Sequence, residues 1–329
     1  MTAIATNLTR LLGIDLPIVQ AGMSWASSSP ELPLAVSRAG GLGVLAAGPM
    51  RLDALRDAVR ALRAGTDRPF AVNLPLYRKG ADEAMDLLLA ERIPVLIASQ
   101  GGPRRYLDRF RAAGTVCLHV VASTEHARKA AGTGVDGLVV VGAEAGGHPP
   151  PDLVSTLVIV RAVARAVPDL PLIASGGFAD GAGLAAALAL GAGAAQFGTR
   201  FLLSAEANVH PAYQRAVLSA SVTDAQPVGR DLGVIRALPN AFTRDMAKLE
   251  RDGASVEDRR ARFAQSTLKM AAFDGDVDNG KIEAGQSAGL VDEVLPAGEI
   301  VRALAAEYLA TVRSLPAGSP QWRDQAAES

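Results

Sequence analysis

Eight short apolar runs, each giving way to a stretch with helical spacing, organise most of the chain. The runs are Pro17–Ala21, Leu42–Ala46, Phe70–Leu74 and Val95–Ser99, followed by Val116–Val121, Gly137–Gly142, Pro171–Ser175 and Ala194–Phe201. Continuous apolar runs of this length suit parallel strands covered on both faces. Helical spacing appears at Glu31–Ala39, Leu52–Arg63, Arg104–Ala113 and Leu153–Val167, with Gly40, Gly65 and Gly114 placed as C-terminal caps. The regular alternation predicts an α/β fold, a (β/α)8 TIM barrel. An open doubly wound sheet fits the local pattern too and is the weaker reading.

Beyond residue 215 the pattern changes. Ala216 to Lys269 is charged and helical in character, carries Arg230, Arg236, Arg244 and Arg251, and contains no convincing strand. Asp274–Gly280 has the acid spacing of a calcium loop. Lys281–Gly285 behind it lacks the placed glutamate and flanking helix of an EF-hand, so a turn is expected instead. That turn would return the chain to the barrel and bring Gln286–Gly289 towards the active site. Glu299–Val312 reads as a closing helix, and Pro316–Ser329 as a frayed tail. The expected division is a barrel of 1–215 plus 285–314, an inserted helical cap of 216–284, and a flexible tail of 315–329.

Composition narrows the class. A chain of 329 residues, 49% hydrophobic and 20% charged, is that of a compact globular protein. A net charge of -1 offers no footprint for nucleic acid. The single cysteine, Cys117, lies inside an apolar run and is expected to be a buried, inert thiol. No apolar stretch is long enough to span a bilayer, and Met1–Ile4 does not open a signal peptide. The expectation is a cytoplasmic enzyme with a small-molecule substrate and no membrane partner, a homodimer being left open.

Barrel enzymes keep their chemistry at the C-terminal ends of the strands. At the end of the sixth run stands Glu144-Ala145-Gly146-Gly147-His148, whose histidine is placed as the acid–base group. Ser175-Gly176-Gly177 follows the seventh run and opens a helix, and Gly198-Thr199-Arg200 interrupts the eighth. Paired glycine turns in these two loops, with a helix N-terminus, form the recurring phosphate site of such barrels, because unpaired backbone N–H groups converge on the anion. The other histidines carry less: His119 reads as structural within its strand, His126 as solvated, and His210 as the start of a helix. No set of histidines and carboxylates has metal-ligand spacing.

Several motifs together resemble the nitronate monooxygenase superfamily, which includes flavin enoyl-ACP reductases and an NADH:quinone reductase branch. They are Gln20-Ala21-Gly22-Met23-Ser24-Trp25, Ala39-Gly40-Gly41-Leu42-Gly43, Asn73, Glu144–His148, Ala174-Ser175-Gly176-Gly177 and Gly198-Thr199-Arg200-Phe201. The resemblance runs from about Leu11 to Leu304 and implies a TIM barrel holding non-covalent FMN beneath a helical cap. It implies that Ala21, Gly22 and Met23 pass beside the isoalloxazine ring and that Asn73 hydrogen-bonds the flavin. By the same resemblance Gly176, Gly177, Gly198 and Thr199 form the phosphate turns, with Gln196, Ser175 and Gly147 beside the cofactor. Ser99 and Gln100 line the ribityl or ring region by a looser match. His148 matches the catalytic histidine.

The resemblance leaves two reactions. The barrel motifs and the terminal Gly285-Gln286 fit oxidation of alkyl nitronates with O2. Gly22-Met23-Ser24-Trp25 and the cap segments around Arg236–Asp245 and Gly275–Asp278 resemble the NAD(P)H-dependent reductases of enoyl thioesters or quinones. An acyl-carrier partner would call for an exposed basic patch, for which Arg104, Arg105 and Arg236 are the candidates. Nitronate oxidation is the favoured expectation.

Overall fold

The computed structural model describes residues 3–316. Eight parallel strands form one sheet: β1 (Ile18–Gln20), β2 (Gly43–Ala46), β3 (Phe70–Pro75), β4 (Val95–Ser99), β5 (Val116–Val121), β6 (Gly137–Val141), β7 (Leu172–Ser175) and β8 (Ala194–Phe197). Each pairs in parallel with its neighbour in the sequence, from β2 through β8, and β1 pairs with β8. A parallel bridge between Val19 and Leu42 joins β1 to β2 and closes the ring. The fold is therefore the expected TIM barrel, not an open sheet.

The β1–β2 seam is held by two backbone hydrogen bonds, Leu42 N–H to Ile18 C=O at 2.9 Å and Gln20 N–H to Leu42 C=O at 3.0 Å, and by one side chain. Gln20 is fully buried, and its amide accepts from Val44 N–H at 2.9 Å and donates to Val44 C=O at 3.1 Å. A side-chain amide offers the same donor and acceptor as a peptide group. Gln20 thus supplies the ladder rungs that the short β1 lacks.

Alternation along the strands sorts the side chains into two layers. Val19, Val44, Ala71, Val95, Ile97, Leu118, Val139, Ile173 and Ala194 point inward and pack with Leu8, Leu12 and Ile14, so the helix Asn7–Leu12 plugs the base of the barrel. Leu45, Val72, Leu96, Cys117, Leu138 and Ala174 point outward against the surrounding helices. Two residues above the inner layer come Ala21, Asn73, Ser99, Val141, Ser175 and Gln196. These six form the floor of the upper end of the barrel.

Several local expectations need correction. The eighth strand stops at Phe197, four residues short of Phe201, because Thr199–Leu202 turns into a short helix. Phe201 and Leu202 are buried there too, so an apolar run alone did not distinguish strand from buried helix. Gly40 and Gly114 follow their helices with φ of +97° and +81°, but Gly65 is itself the last residue of the helix Leu52–Gly65 and Thr66 caps it. The stretch Arg104–Ala113 breaks into a 3-10 turn, Pro103–Arg105, and a helix, Leu107–Ala112.

The segment read as strandless contains an antiparallel hairpin, Gln226–Val228 with Ile235–Ala237. Three-residue strands leave too little alternation to detect. The hairpin packs with Phe242 and Met246 of the helix Ala241–Arg251 in a small core of its own. Two further helices follow, Val256–Gln265 and Leu268–Ala272. The Asp274–Gly280 segment is the expected turn, Asp276 accepting from Asn279 N–H at 3.1 Å. Among the described residues no group of side chains is arranged to hold a metal ion, and no helix is long and apolar enough to cross a membrane. The closing helix runs over Ala297–Ser314. Of the expected tail, residues 317–329 lie outside the described residues.

Gln20→Leu tests the seam. The substitution leaves a buried N–H and C=O of Val44 without partners, each costing about 1–3 kcal/mol. Urea unfolding should show a loss of several kcal/mol, far beyond the usual cost of a near-isosteric core exchange. A loss below about 0.5 kcal/mol would mean the seam does not depend on this amide.

Candidate active site

A cavity of about 1380 Å³ opens at the C-terminal ends of the strands. All fourteen residues singled out in the sequence line it: Ala21, Gly22, Met23, Asn73, Ser99, Gln100, Gly147, His148, Ser175, Gly176, Gly177, Gln196, Gly198 and Thr199. The inward register of the strands delivers Ala21, Asn73, Ser99, Ser175 and Gln196. The loops deliver the rest.

One wall is fixed by a steric constraint. A Cβ on Gly22 would sit 2.6 Å from Asn73 Cβ, so the loop after β1 runs this close to β3 only with glycine there. Asn73 Nδ2 donates to Ile97 C=O at 3.0 Å, which aims its amide across the floor. Gln196 Nε2 donates to the Ser175 hydroxyl at 2.8 Å beside it.

The paired turns follow β7 and β8, and Gly198 stands directly beside Ala21 and Met23 of the loop after β1. Gly176 and Gly177 have φ of +115° and +79°, a left-handed geometry that L side chains rarely adopt. The backbone N–H groups of Gly176, Gly177 and Gly198 donate to nothing among the described residues, and all three residues border the cavity. They are free for an anion. The helix Gly181–Ala189 behind them is not. Its Gly183 N–H is taken by Asp180 at 2.7 Å and its Gly181 N–H by Glu307 at 2.8 Å. The expected contribution of this helix terminus is corrected: two carboxylates occupy it, and the turns alone offer donors.

His148 follows the loop after β6. Gly147 forms an antiparallel bridge with Arg236, its N–H reaching Arg236 C=O at 3.2 Å and Arg236 N–H returning to Gly147 C=O at 2.7 Å. Glu144 ties the other end of the loop down, its carboxylate accepting from the N–H and hydroxyl of Thr156 at 2.9 and 2.6 Å. The imidazole of His148 opens on the cavity. Desolvation, and then the charge of Lys281, lower its pKa from the ordinary value of 6.5, which favours the neutral base form.

His119 points outward from β5, against the helices, where Tyr106 Oη lies 3.0 Å from its Nδ1. Burial lowers its pKa as well. His126 is exposed on its helix, and His210 caps the helix Pro211–Leu218, accepting from Ala212 N–H at 3.1 Å. Cys117 is buried and free, its thiol pushed up to about 12 chiefly by desolvation. Arg104 and Arg105 are exposed, but Arg105 is engaged with Asp82. Arg236 is buried, donating to Ala143 and Ala225 C=O at 3.0 and 2.5 Å. It is a structural arginine and not part of an exposed basic patch.

The sequence reading missed Tyr213, Lys281 and Glu283, which come from the segments flanking the hairpin. Tyr213 and Glu283 line the cavity, and the Tyr213 hydroxyl donates to Glu283 C=O at 2.6 Å. Desolvation raises the Glu283 carboxyl to about 7, with Lys281 opposing the shift. The Lys-Ile-Glu preceding Ala284-Gly285 was weighed only against a calcium loop, and nothing in its spacing marks the acid as facing a cavity.

The family model described as nitronate monooxygenase matches residues 5–86 and 78–307. The chain belongs to the nitronate monooxygenase family. It is 34% identical to a nitronate monooxygenase of Pseudomonas aeruginosa, over 92% of this chain and 98% of that protein. It is 32% identical to the (3aS,4S,5R,7aS)-5-hydroxy-7a-methyl-1-oxo-octahydro-1H-indene-4-carboxyl-CoA dehydrogenase of Mycobacterium tuberculosis, over 95% and 98% of the two chains. Among solved structures, FabK from Thermotoga maritima superposes with a TM-score of 0.88 at 40% identity, covering 94% of this chain and 98% of that one. The family is one of flavoproteins. The cavity fits such a cofactor: free N–H groups sit in the turns at Gly176–Gly177 and Gly198, and the close backbone passage at Gly22 leaves a wall without side-chain bulk.

The anchoring of the His148 loop can be measured. Glu144→Ala removes both hydrogen bonds to Thr156 and should lower stability by about 1–2 kcal/mol in thermal or denaturant unfolding. Glu144→Gln, which keeps an acceptor, should lose less. Equal losses in the two variants would show that the carboxylate works through something other than these bonds.

Proposed function

We propose that the protein is an FMN-dependent oxidoreductase that oxidises alkyl nitronates with O2. The observation that carries this reading is His148, its neutral base form favoured, opening on the same cavity as the free amides of Gly176, Gly177 and Gly198. Those amides, with Thr199 and Gln196 alongside, would hold the phosphate end of FMN. Ala21, Gly22, Met23 and Asn73 would border its ring, with Ser99 and Gln100 along the adjoining wall and Ser175 and Gly147 on the other side. When bound, the flavin supplies the electron acceptor for the substrate and the route from there to O2. Residues 216–284 act as a cap over this site.

His148 has work to do when the substrate arrives as a neutral nitroalkane. The C–H bond next to the nitro group breaks, the proton goes to the imidazole, and the electron pair stays on the substrate as the nitronate. A histidine with a lowered pKa is in its base form at neutral pH. The rate with a nitroalkane should therefore rise with pH through a value below 6.5 and be lost as pH falls through it.

A second reading is NAD(P)H-dependent reduction of enoyl thioesters or quinones. The relative named for a carboxyl-CoA substrate, matched over 95% of the chain, favours a thioester. In that chemistry His148 would orient or protonate at the substrate carbonyl.

Purified protein should be yellow and should release FMN, without adenine, on denaturation. Colourless protein that FMN does not reconstitute would end the cofactor assignment. Mixed anaerobically with an alkyl nitronate, the flavin absorbance should bleach, and oxygen should be consumed during aerobic turnover. Bleaching by NADH or NADPH with no response to nitronate would establish the second reading instead. His148→Ala should keep its flavin and lose roughly 10²–10⁴-fold on neutral nitroalkane, the range for removing a general base. The loss on preformed nitronate should be far smaller. Equal effects on the two would assign the histidine a structural role.

A further inference from the structure

The cavity wall contains one carboxylate without a direct hydrogen-bond or ion-pair partner among the described residues. Glu283 borders the cavity, and among the described residues no hydrogen bond or ion pair reaches its carboxylate oxygens. Its backbone is pinned by an antiparallel bridge to Ala237 and by the Tyr213 hydroxyl. Its Oε2 lies 3.1 Å from where a Cβ on Gly147 would stand, which puts the carboxylate against the backbone preceding His148.

Lys281, Arg236 and Lys269 have direct partners other than Glu283, although the charge of Lys281 still acts on it. Lys281 Nζ sits over the Phe263 ring at 3.4 Å from its centroid and near the Phe242 ring at 5.5 Å. Arg236 spends its guanidinium on two backbone carbonyls. Lys269, which also borders the cavity, is bound to Asp274 at 2.6 Å. His148 favours its neutral base form, Tyr213 is held in its neutral form by burial, and the nearby Glu144 is tied to Thr156.

Resting on the reading of this cavity as the substrate site, we infer that Glu283 is a specificity-determining residue that selects substrates by charge. Ionised, it repels an anionic group entering beside His148; protonated, it admits one. Below the changeover an anion such as a nitronate is admitted; above it the selection favours uncharged substrates, such as a nitroalkane in its neutral form or the acyl part of a thioester, over anions. Desolvation keeps the carboxyl protonated up to about 7, which places the changeover near neutrality.

Two inert probes read this without turnover: propionate as the anion and propionamide as its neutral counterpart, bound to the flavin-loaded protein and followed by the flavin absorbance. Propionate binding should weaken as pH rises through about 7, approaching tenfold per pH unit above it, while propionamide binding stays level. Glu283→Gln and Glu283→Met, checked for flavin content, should bind propionate with no such dependence. An unchanged dependence in both variants, a level profile in the natural protein, or failure of either probe to bind it overturns the inference. Because no electron transfer is needed, a failure here is distinguishable from a failure of nitronate oxidation.

Stability supplies an independent reading. The Glu283 carboxyl ionises near its ordinary 4.5 in the unfolded chain and near 7 in the folded one. The folded state therefore holds its proton longer and loses stability as pH rises across that window. Melting temperatures of the natural protein should fall relative to Glu283→Gln between those values and run parallel above them. Parallel curves throughout would show that the carboxylate is neutralised in solution, and would overturn the inference.

Discussion

The barrel closes at its narrowest seam with the help of one buried amide that behaves as a piece of backbone. β1 and β2 share a single parallel bridge with two backbone hydrogen bonds, fewer than any other neighbouring pair needs to span its strands. Gln20 makes up the shortfall, pairing with both polar groups of Val44 from a fully buried position. An open edge there would leave backbone groups unpaired in the core, at a cost comparable to lost hydrogen bonds. With the ring closed, the inward faces of all eight strands converge, and their last residues meet around one floor. The position of Gly22 against Asn73, from which the near wall follows, depends on the same closure, since it brings the loop after β1 over β3.

Much of this was legible because two periodicities were at work. Continuous apolar runs placed all eight strands, and six of them to within one residue. β4 and β5 match from end to end, β3 reaches one residue further, β6 stops one residue earlier, and β2 and β7 each start one residue later. The glycine-rich turns then fell at strand ends, so every candidate site residue reached the one cavity. Where the signal failed, the cause is specific. Phe201 and Leu202 are apolar because they are buried, and burial is common to strand and short helix. The hairpin strands at Gln226–Val228 and Ile235–Ala237 are three residues each, below the length at which alternation can be seen. Arg236 looked like surface because arginine usually is; its burial depends on carbonyls 11 and 93 residues away, which no local pattern encodes.

The parts of the site that were not legible share one origin. Tyr213, Lys281 and Glu283 come from chain flanking the hairpin, and tertiary packing brings Tyr213 and Glu283 onto the cavity, with Lys281 over the Phe242 and Phe263 rings. A barrel rim supplies a cofactor platform from strand ends whose order is fixed by topology, whereas the covering segments are free to vary. This explains why relatives named for a nitronate monooxygenase and for a carboxyl-CoA dehydrogenase match this chain at similar identity. The rim they share is suited to the cofactor. The covering wall is where their substrates can part.

Burial acts on two titratable groups of this cavity, His148 and Glu283, in opposite senses with one result. It lowers the His148 imidazole and raises the Glu283 carboxyl, and in both desolvation is the largest cause. Each is driven towards its neutral form, as expected where water is scarce and the nearby cations have other direct partners. In the turns after β7 and β8 a negative charge finds amide donors that are free among the described residues and belong to backbone that cannot titrate. A phosphate can be held there at any pH, while the region beside His148 stays uncharged until Glu283 ionises. Under the proposed function, the cofactor's charge and the substrate's reactive carbon would meet different parts of the cavity, one fixed by glycine geometry and the other responsive to protons.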